Sequence, residues 1–150
     1  MRVSREKGIP KEIEICAGEV GDQSRISKLG FTFQVTGVKK PLLSVSKVVQ
    51  KGNKMCFGPS VNDNFIENLA TKRKFPLVSN GKGSYLLNVD FEGGKQTSIT
   101  IDSGAEDSVC PKEWGAEFGL AEGRKILFRD ASGNSIPHYG QRRVKVLAPF

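Results

Sequence analysis

Apolar and polar positions alternate along this chain in short bursts separated by turn residues. "FTFQVTGV" (residues 31–38) puts Phe31, Phe33 and Val35 on one face of an extended segment, the period-two pattern of a half-buried strand. "EIEICAGEV" alternates enough to read as a strand ending at Gly18, after a charged leader over residues 1–12 that contains Gly8 and Pro10. "NKMCFGP" reads as a strand running into a turn, "FIENLATKRKFPLV" as two short strands about the polar "ATKRK", and "GKGSYLLNVDF" as another strand. "EGGK" is then a hairpin turn into "QTSITID", where Ile99 and Ile101 alternate with Ser98 and Thr100.

The period changes in two places. "KKPLLSVSKVVQKGN" spaces Leu42, Leu43, Val45, Val48 and Val49 for a short helix that starts after Pro41 and stops at Gly52. "PKEWGAEFG" suits one helical turn or two, and "KILFRDASGNSIPHYGQRRVKVL" reads as two strands around the turn "DASGN". Many short strands with one or two short helices predict a mainly β domain of barrel or sandwich type.

Composition narrows the picture without changing it. The 150 residues suit one ordinary domain. There is no run of eighteen or more apolar residues, and "MRVSREKGIPKEIEI" carries charges where a signal peptide needs its apolar stretch, so an intracellular, cytoplasmic protein without a membrane partner is expected. Cys16, Cys56 and Cys110 are odd in number and far apart, with no CxxC pair, so neither a disulfide framework nor a zinc site is expected. A net charge of +7 raises the question of nucleic acid, but the basic residues are scattered through "VKK", "TKRK", "GRK" and "GQRRVK", the pattern of solubilising charge. "GKG" and "EGGK" lack the strand–loop–helix context of a phosphate-binding loop, so no nucleotide cofactor is expected.

One stretch carries chemistry: "SITIDSGAEDSVCP", residues 98–111. A strand ending in Asp102, Ser103, Gly104 and Ala105 gives the carboxylate a tight turn, a hydroxyl neighbour and a glycine whose missing Cβ lets the backbone approach a symmetry mate or a substrate. As an isolated tripeptide, Asp-Ser-Gly is a common turn. Acid-type peptide hydrolysis needs two carboxylates sharing a proton, one acting as base on water and the other as acid toward the carbonyl oxygen. Only one Asp-Ser/Thr-Gly occurs here, so in that role a two-fold axis must bring Asp102 beside its twin. Like charges roughly 3 Å apart cannot both ionise, so the pair would titrate as a unit.

Other polar residues carry less. Ser103 either holds the carboxylate in plane or is a turn residue, while Glu106 and Asp107 read as solvated or paired with basic residues. Cys56 and Cys110 read as small buried hydrophobes and Trp114 as a core or interface anchor. His138, the only histidine, reads as a loop or surface residue in the absence of a recognisable Ser or Cys nucleophile, and "LLSVSKVV" as packing.

"ITIDSGAEDSVCP" resembles the catalytic segment of retropepsin-like aspartic proteases of retroviruses and retrotransposons: apolar residues, Asp-Ser/Thr-Gly-Ala, an acidic residue and an apolar strand. The match runs through residues 98–111 without a gap. "FRDASGNSIPHYGQRRVKV" is similar to the flap hairpin of the retrotransposon members, which places Ala131, Ser132, Gly133 and Asn134 at a mobile gate over the substrate. "FQVTGVKKPLLSVSKVVQKGNKMCFGP" and "FIENLATKRKFPLVSNGKGSYLLNV" resemble the part that follows the flap in Copia-like polyproteins, where a phrase of the form "PLLSVSKLVDKG" is common. Together these regions cover most of residues 31–146.

The resemblance implies a retropepsin-like acid protease barrel with a half-site per protomer. It also implies an aspartic endopeptidase that cleaves a peptide or polyprotein as a homodimer, without metal, cofactor or covalent intermediate. Asp102 would be catalytic, with Ser103, Gly104 and Ala105 supporting it. The order of parts departs from the family, since the piece that should come last comes first and 46 residues follow Gly104. Residues 1–26 then form a charged leader and edge strand, 27–93 the segment like the C-terminal half of such a unit, and 94–150 the catalytic and flap-like half, within one compact domain. Either the chain is a circular permutant joined through "NVDFEGGKQTSIT", or it spans two neighbouring units. The alternative function is that of a catalytically silent interaction domain of retroelement origin, binding nucleic acid weakly through its charge.

Overall fold

Phe33 and Val35 are fully buried and Phe31 half-buried, so the alternation in the first strand faces a core as expected. The computed structural model describes residues 25–150, and the leader and strand expected before them lie outside the described residues. Strand β1 (Ile26–Thr36) is followed by β2 (Leu42–Ser44), helix α1 (Val45–Gln50), β3 (Asn53–Cys56), β4 (Phe65–Asn68), β5 (Lys74–Pro76), β6 (Val78–Ser79) and β7 (Tyr85–Phe91). Then come β8 (Gln96–Asp102), β9 (Val109–Cys110), β10 (Phe128–Arg129), β11 (Ser135–Ile136) and β12 (His138–Pro149). Single 3-10 turns lie at Val61–Asp63 and Ala116–Phe118, and the protein is mainly β with a mixed sheet.

The longest pairing joins the two ends of the described chain. β12 runs antiparallel to β1 from Ile26 opposite Pro149 to Val35 opposite Gly140, slipping by one residue where Thr36 meets His138. The main sheet has the order β12-β1-β9-β2-β8-β7-β6, and β12 also meets β7 through Val146 opposite Phe91. That second contact closes β12, β1, β9, β2, β8 and β7 into a ring, which leaves few strand edges bare. β3, β4 and β5 form a separate three-stranded sheet, and β10 and β11 a two-stranded hairpin.

Inside the ring lie Leu29, Phe33, Val35, Leu43, Leu87, Val89, Ile99, Val144 and Val146. Each such side chain, once out of water, contributes roughly 1.5–3 kcal/mol. Trp114 is the anchor its sequence position suggested: its ring packs 5.0 Å from that of Phe33 and 5.1 Å from that of Phe91, and its Nε1 donates to Thr97 Oγ1 at 2.7 Å.

Two expectations need correction. The helix expected from Leu42 begins only at Val45, because Leu42–Ser44 are drawn into the sheet parallel to β8. Ser44 keeps an extended backbone, and its side chain accepts the Lys47 N–H at 3.3 Å, which caps α1 one turn later than the apolar spacing suggested. The other correction concerns "GQRRVK", read as solubilising charge. Inward and outward positions alternate along β12, so Arg143 and Lys145 face solvent while Arg142 points inward and is 5% exposed. Its Nε donates to Gly119 O at 2.7 Å, and its Nη1 to Trp114 O at 2.7 Å, Lys112 O at 2.9 Å and Pro111 O at 3.4 Å. One buried guanidinium thus organises the loop after β9. Among the described residues no helix is long and apolar enough to cross a membrane.

Candidate active site

β8 delivers Asp102 to the end of a strand. β8 and β9 are consecutive in the chain and joined by the Asp102 turn, yet β2 lies between them, parallel to β8 and antiparallel to β9. In that register Ser44 stands opposite Asp102, and Leu42 pairs with Thr100 on one side and Val109 on the other. Asp102 is half-buried, and its Oδ1 accepts the Gly104 N–H at 2.9 Å, the Asx turn that Asp favours. Ser103 and Gly104 are exposed and Ala105 half-buried. Among the described residues no hydrogen bond joins the Ser103 hydroxyl to the Asp102 carboxylate. A Cβ at Gly104 would meet Asp102 Oδ1 at 3.5 Å, an ordinary contact.

The far side of the turn is held from three elements. Ser44 Oγ donates to Ala105 O at 2.8 Å, the Ser44 N–H donates to Ser108 Oγ at 2.9 Å, and the Gln34 N–H donates to Ser108 O at 2.8 Å. Lys47 of α1 adds an ion pair to Asp107 Oδ1 at 3.5 Å, while Glu106 is exposed, so the two acidic neighbours of the motif are paired and solvated as expected. Cys110, just beyond, is fully buried. Loss of solvent pushes its thiol up to about 11 against the opposing pull of the Arg142 charge, leaving it an inert packing group. Cys56 is a half-buried free thiol.

Ala131, Ser132, Gly133 and Asn134 form the exposed tip of the β10–β11 hairpin. Asp130 closes it: its Oδ1 accepts the N–H groups of Ser132 and Asn134, each at 2.9 Å, and its own N–H donates to Asn134 O at 2.9 Å. Gly133 has φ of 85°, a left-handed conformation that a side chain would strain. Arg129 Nη1 reaches Gly133 O at 2.9 Å. The four tip residues are therefore together in one turn. Among the described residues no hydrogen bond or ring contact joins that tip to Asp102.

The link lies at the root of the hairpin, in residues the sequence reading missed. His138, expected as a loop or surface residue, begins β12 and is half-buried: its Nε2 lies 2.9 Å from Gln34 Oε1, the Ile126 N–H reaches its Nδ1 at 3.4 Å, and its ring sits 5.3 Å from that of Phe128. With Nδ1 accepting, the proton is assigned to Nε2, which donates to Gln34. Gln34 is thus bonded to both the hairpin root and Ser108. A groove of about 630 Å³ runs between β1 and α1, lined by Leu29, Phe31, Leu43, Val48 and Lys47, and it meets the Asp102 turn only at Asp107 and Ser108. No protein-family model, curated protein or solved structure matches the chain.

Proposed function

We propose that this chain is an aspartic endopeptidase of retroelement type, hydrolysing a peptide or polyprotein substrate through an Asp dyad formed when two copies pair. The observation that carries this reading is the presentation of Asp102: a half-buried carboxylate, oriented by the Gly104 N–H, on a turn whose inner side is clamped and whose outer residues Ser103 and Gly104 are exposed. Such a carboxylate is pre-oriented but incomplete, and the only Asp-Ser/Thr-Gly that can complete it belongs to a second copy.

In the dimer the two Asp102 carboxyl groups share one proton. The ionised one takes a proton from water as the water oxygen bonds to the scissile carbonyl carbon, and the protonated one donates to the carbonyl oxygen. The tetrahedral diol then collapses: the C–N bond breaks as the amine nitrogen takes a proton from one carboxyl group, and a diol hydroxyl gives its proton to the other, which leaves a carboxylic acid product and restores the singly protonated dyad. Gly104 supplies room and Ser103 an exposed hydroxyl where the copies meet, and the Ala131–Asn134 hairpin serves as the gate over the substrate. The pairing of β12 with β1 and the β7–β8 hairpin fit the circular-permutant reading, in which the parts keep their neighbours and the chain is merely opened elsewhere.

The test is cleavage of casein between pH 4 and 7 beside sedimentation equilibrium. The expected result is a dimer whose acid-biased cleavage falls about 10³-fold in Asp102→Asn. A monomer without cleavage would contradict the proposal. The second reading, a silent domain that binds nucleic acid, is favoured by the +7 net charge and the exposed Lys39 and Lys40. It predicts steeply salt-dependent DNA or RNA binding that Asp102→Asn leaves unchanged.

A further inference from the structure

Ser44 lies in a segment whose pattern suggested nothing beyond packing, yet every bonding capacity of its side chain is used. A hydroxyl offers one proton and two lone pairs. The proton goes to Ala105 O at 2.8 Å, and the lone pairs accept the Lys47 N–H at 3.3 Å and the hydroxyl of Ser46 at 3.1 Å. Its backbone N–H donates to Ser108 Oγ at 2.9 Å. The residue is fully buried and stands opposite Asp102 in the parallel pairing of β2 with β8. One residue therefore grips the turn at Ala105 and again at Ser108, while Ser103, Gly104 and Glu106 between and beside those points are exposed.

We propose that Ser44 is a positioning residue for the Asp102 carboxylate, fixing the turn that carries it without touching substrate. This inference rests on the peptidase reading above. Two carboxylates that must share one proton across a two-fold axis tolerate little displacement, since each error is doubled by the symmetry. Misplacement of a reacting group by about 1 Å can cost 100-fold in rate. The helix cap gives Ser44 its own rigidity: α1 holds the hydroxyl in place, and the hydroxyl holds the turn.

The experiment combines steady-state cleavage of casein with amide hydrogen exchange at Gly104, whose N–H bonds Asp102 Oδ1. Ser44→Ala is expected to lower kcat about 10- to 100-fold with KM within about twofold, and Ser44→Thr, which keeps the hydroxyl, to restore most of the rate. Gly104 exchange should quicken about tenfold or more in Ser44→Ala while the amides of Val144 and Val146 in the core keep their protection. Should Ser44→Ala fail to fold, Ser108→Ala removes the second grip and is read in the same way. Unchanged Gly104 exchange, or wild-type kcat in a folded Ser44→Ala, overturns the role of Ser44 and leaves the peptidase reading standing. A wild-type chain without cleavage overturns the peptidase reading, and the role of Ser44 with it.

Discussion

The Asp102 turn and the β10–β11 hairpin are both exposed at their tips, but they are held in opposite ways. The turn is gripped at Ala105, Asp107 and Ser108 by Ser44, Lys47 and Gln34, residues brought from two strands and a helix far away in the chain. The hairpin is closed by its own Asp130 and Arg129 and rooted through His138 and Phe128. Distant partners make a segment open only when the whole fold opens, whereas local ones allow it to open alone at small free energy. The pair teaches a contrast in which the Asp102 carboxylate sits on the fixed side and the Ala131–Asn134 tip on the yielding side, with Gln34 bonded to both.

The largest effect that would sharpen this contrast is expected at Arg142. Arg142→Ala removes a buried guanidinium and leaves the part-buried carbonyls of Trp114, Lys112 and Gly119 and the buried carbonyl of Pro111 without their donor, so urea denaturation should show a loss of about 3 kcal/mol or more. A loss below about 1 kcal/mol would break the claim that this guanidinium organises the loop after β9. Next comes Cys110. With its thiol raised to about 11, native alkylation at pH 8 should be about 100-fold slower than for an unperturbed cysteine, and Cys56 should react first. Because the folded thiol keeps its proton where the unfolded one loses it, stability should fall as pH rises between the ordinary thiol value and about 11.

On the yielding side, Asp130→Ala should lower cleavage several-fold while the denaturation midpoint moves by less than about 1 kcal/mol, since the bonds lost are exposed. A global loss would show that the hairpin is part of the fixed half after all. The smallest effect is expected at Glu92, whose carboxyl is held below its ordinary value chiefly by its bond to Lys28, the pair lying 2.8 Å apart and about 39% exposed on each side. That contribution is present above the ordinary carboxylate range and lost as pH falls through the lowered value. Glu92→Gln should therefore cost under about 1 kcal/mol at pH 7 and nothing once both states are protonated, measured by thermal melts across pH.

The strands were readable because period-two alternation needs only a few consecutive residues: β1, the β4–β5 and β7–β8 hairpins and the "DASGN" turn all fall where the pattern puts them. β2 was not readable, because Leu42 and Leu43 suit a helix face equally well and the slot between β8 and β9 that claims them is formed by residues more than fifty positions away. The Ser44 cap was a signal available in the sequence, a serine just ahead of an apolar run. Arg142 carried none, since its acceptors are backbone carbonyls, which every residue has. His138 failed for a similar reason: its partner Gln34 sits on a strand whose polar positions read as solvent-facing, yet Gln34 is buried.

The central claim is that catalysis takes one carboxylate from each of two copies, and subunit mixing tests it most directly. Wild type and Asp102→Asn are combined at constant total concentration, allowed to exchange, and assayed on casein. If each active site needs both Asp102 side chains, cleavage follows the square of the wild-type fraction, about one quarter at an equal mixture. A linear response, about one half at that point, would mean that each chain works alone and would contradict the account.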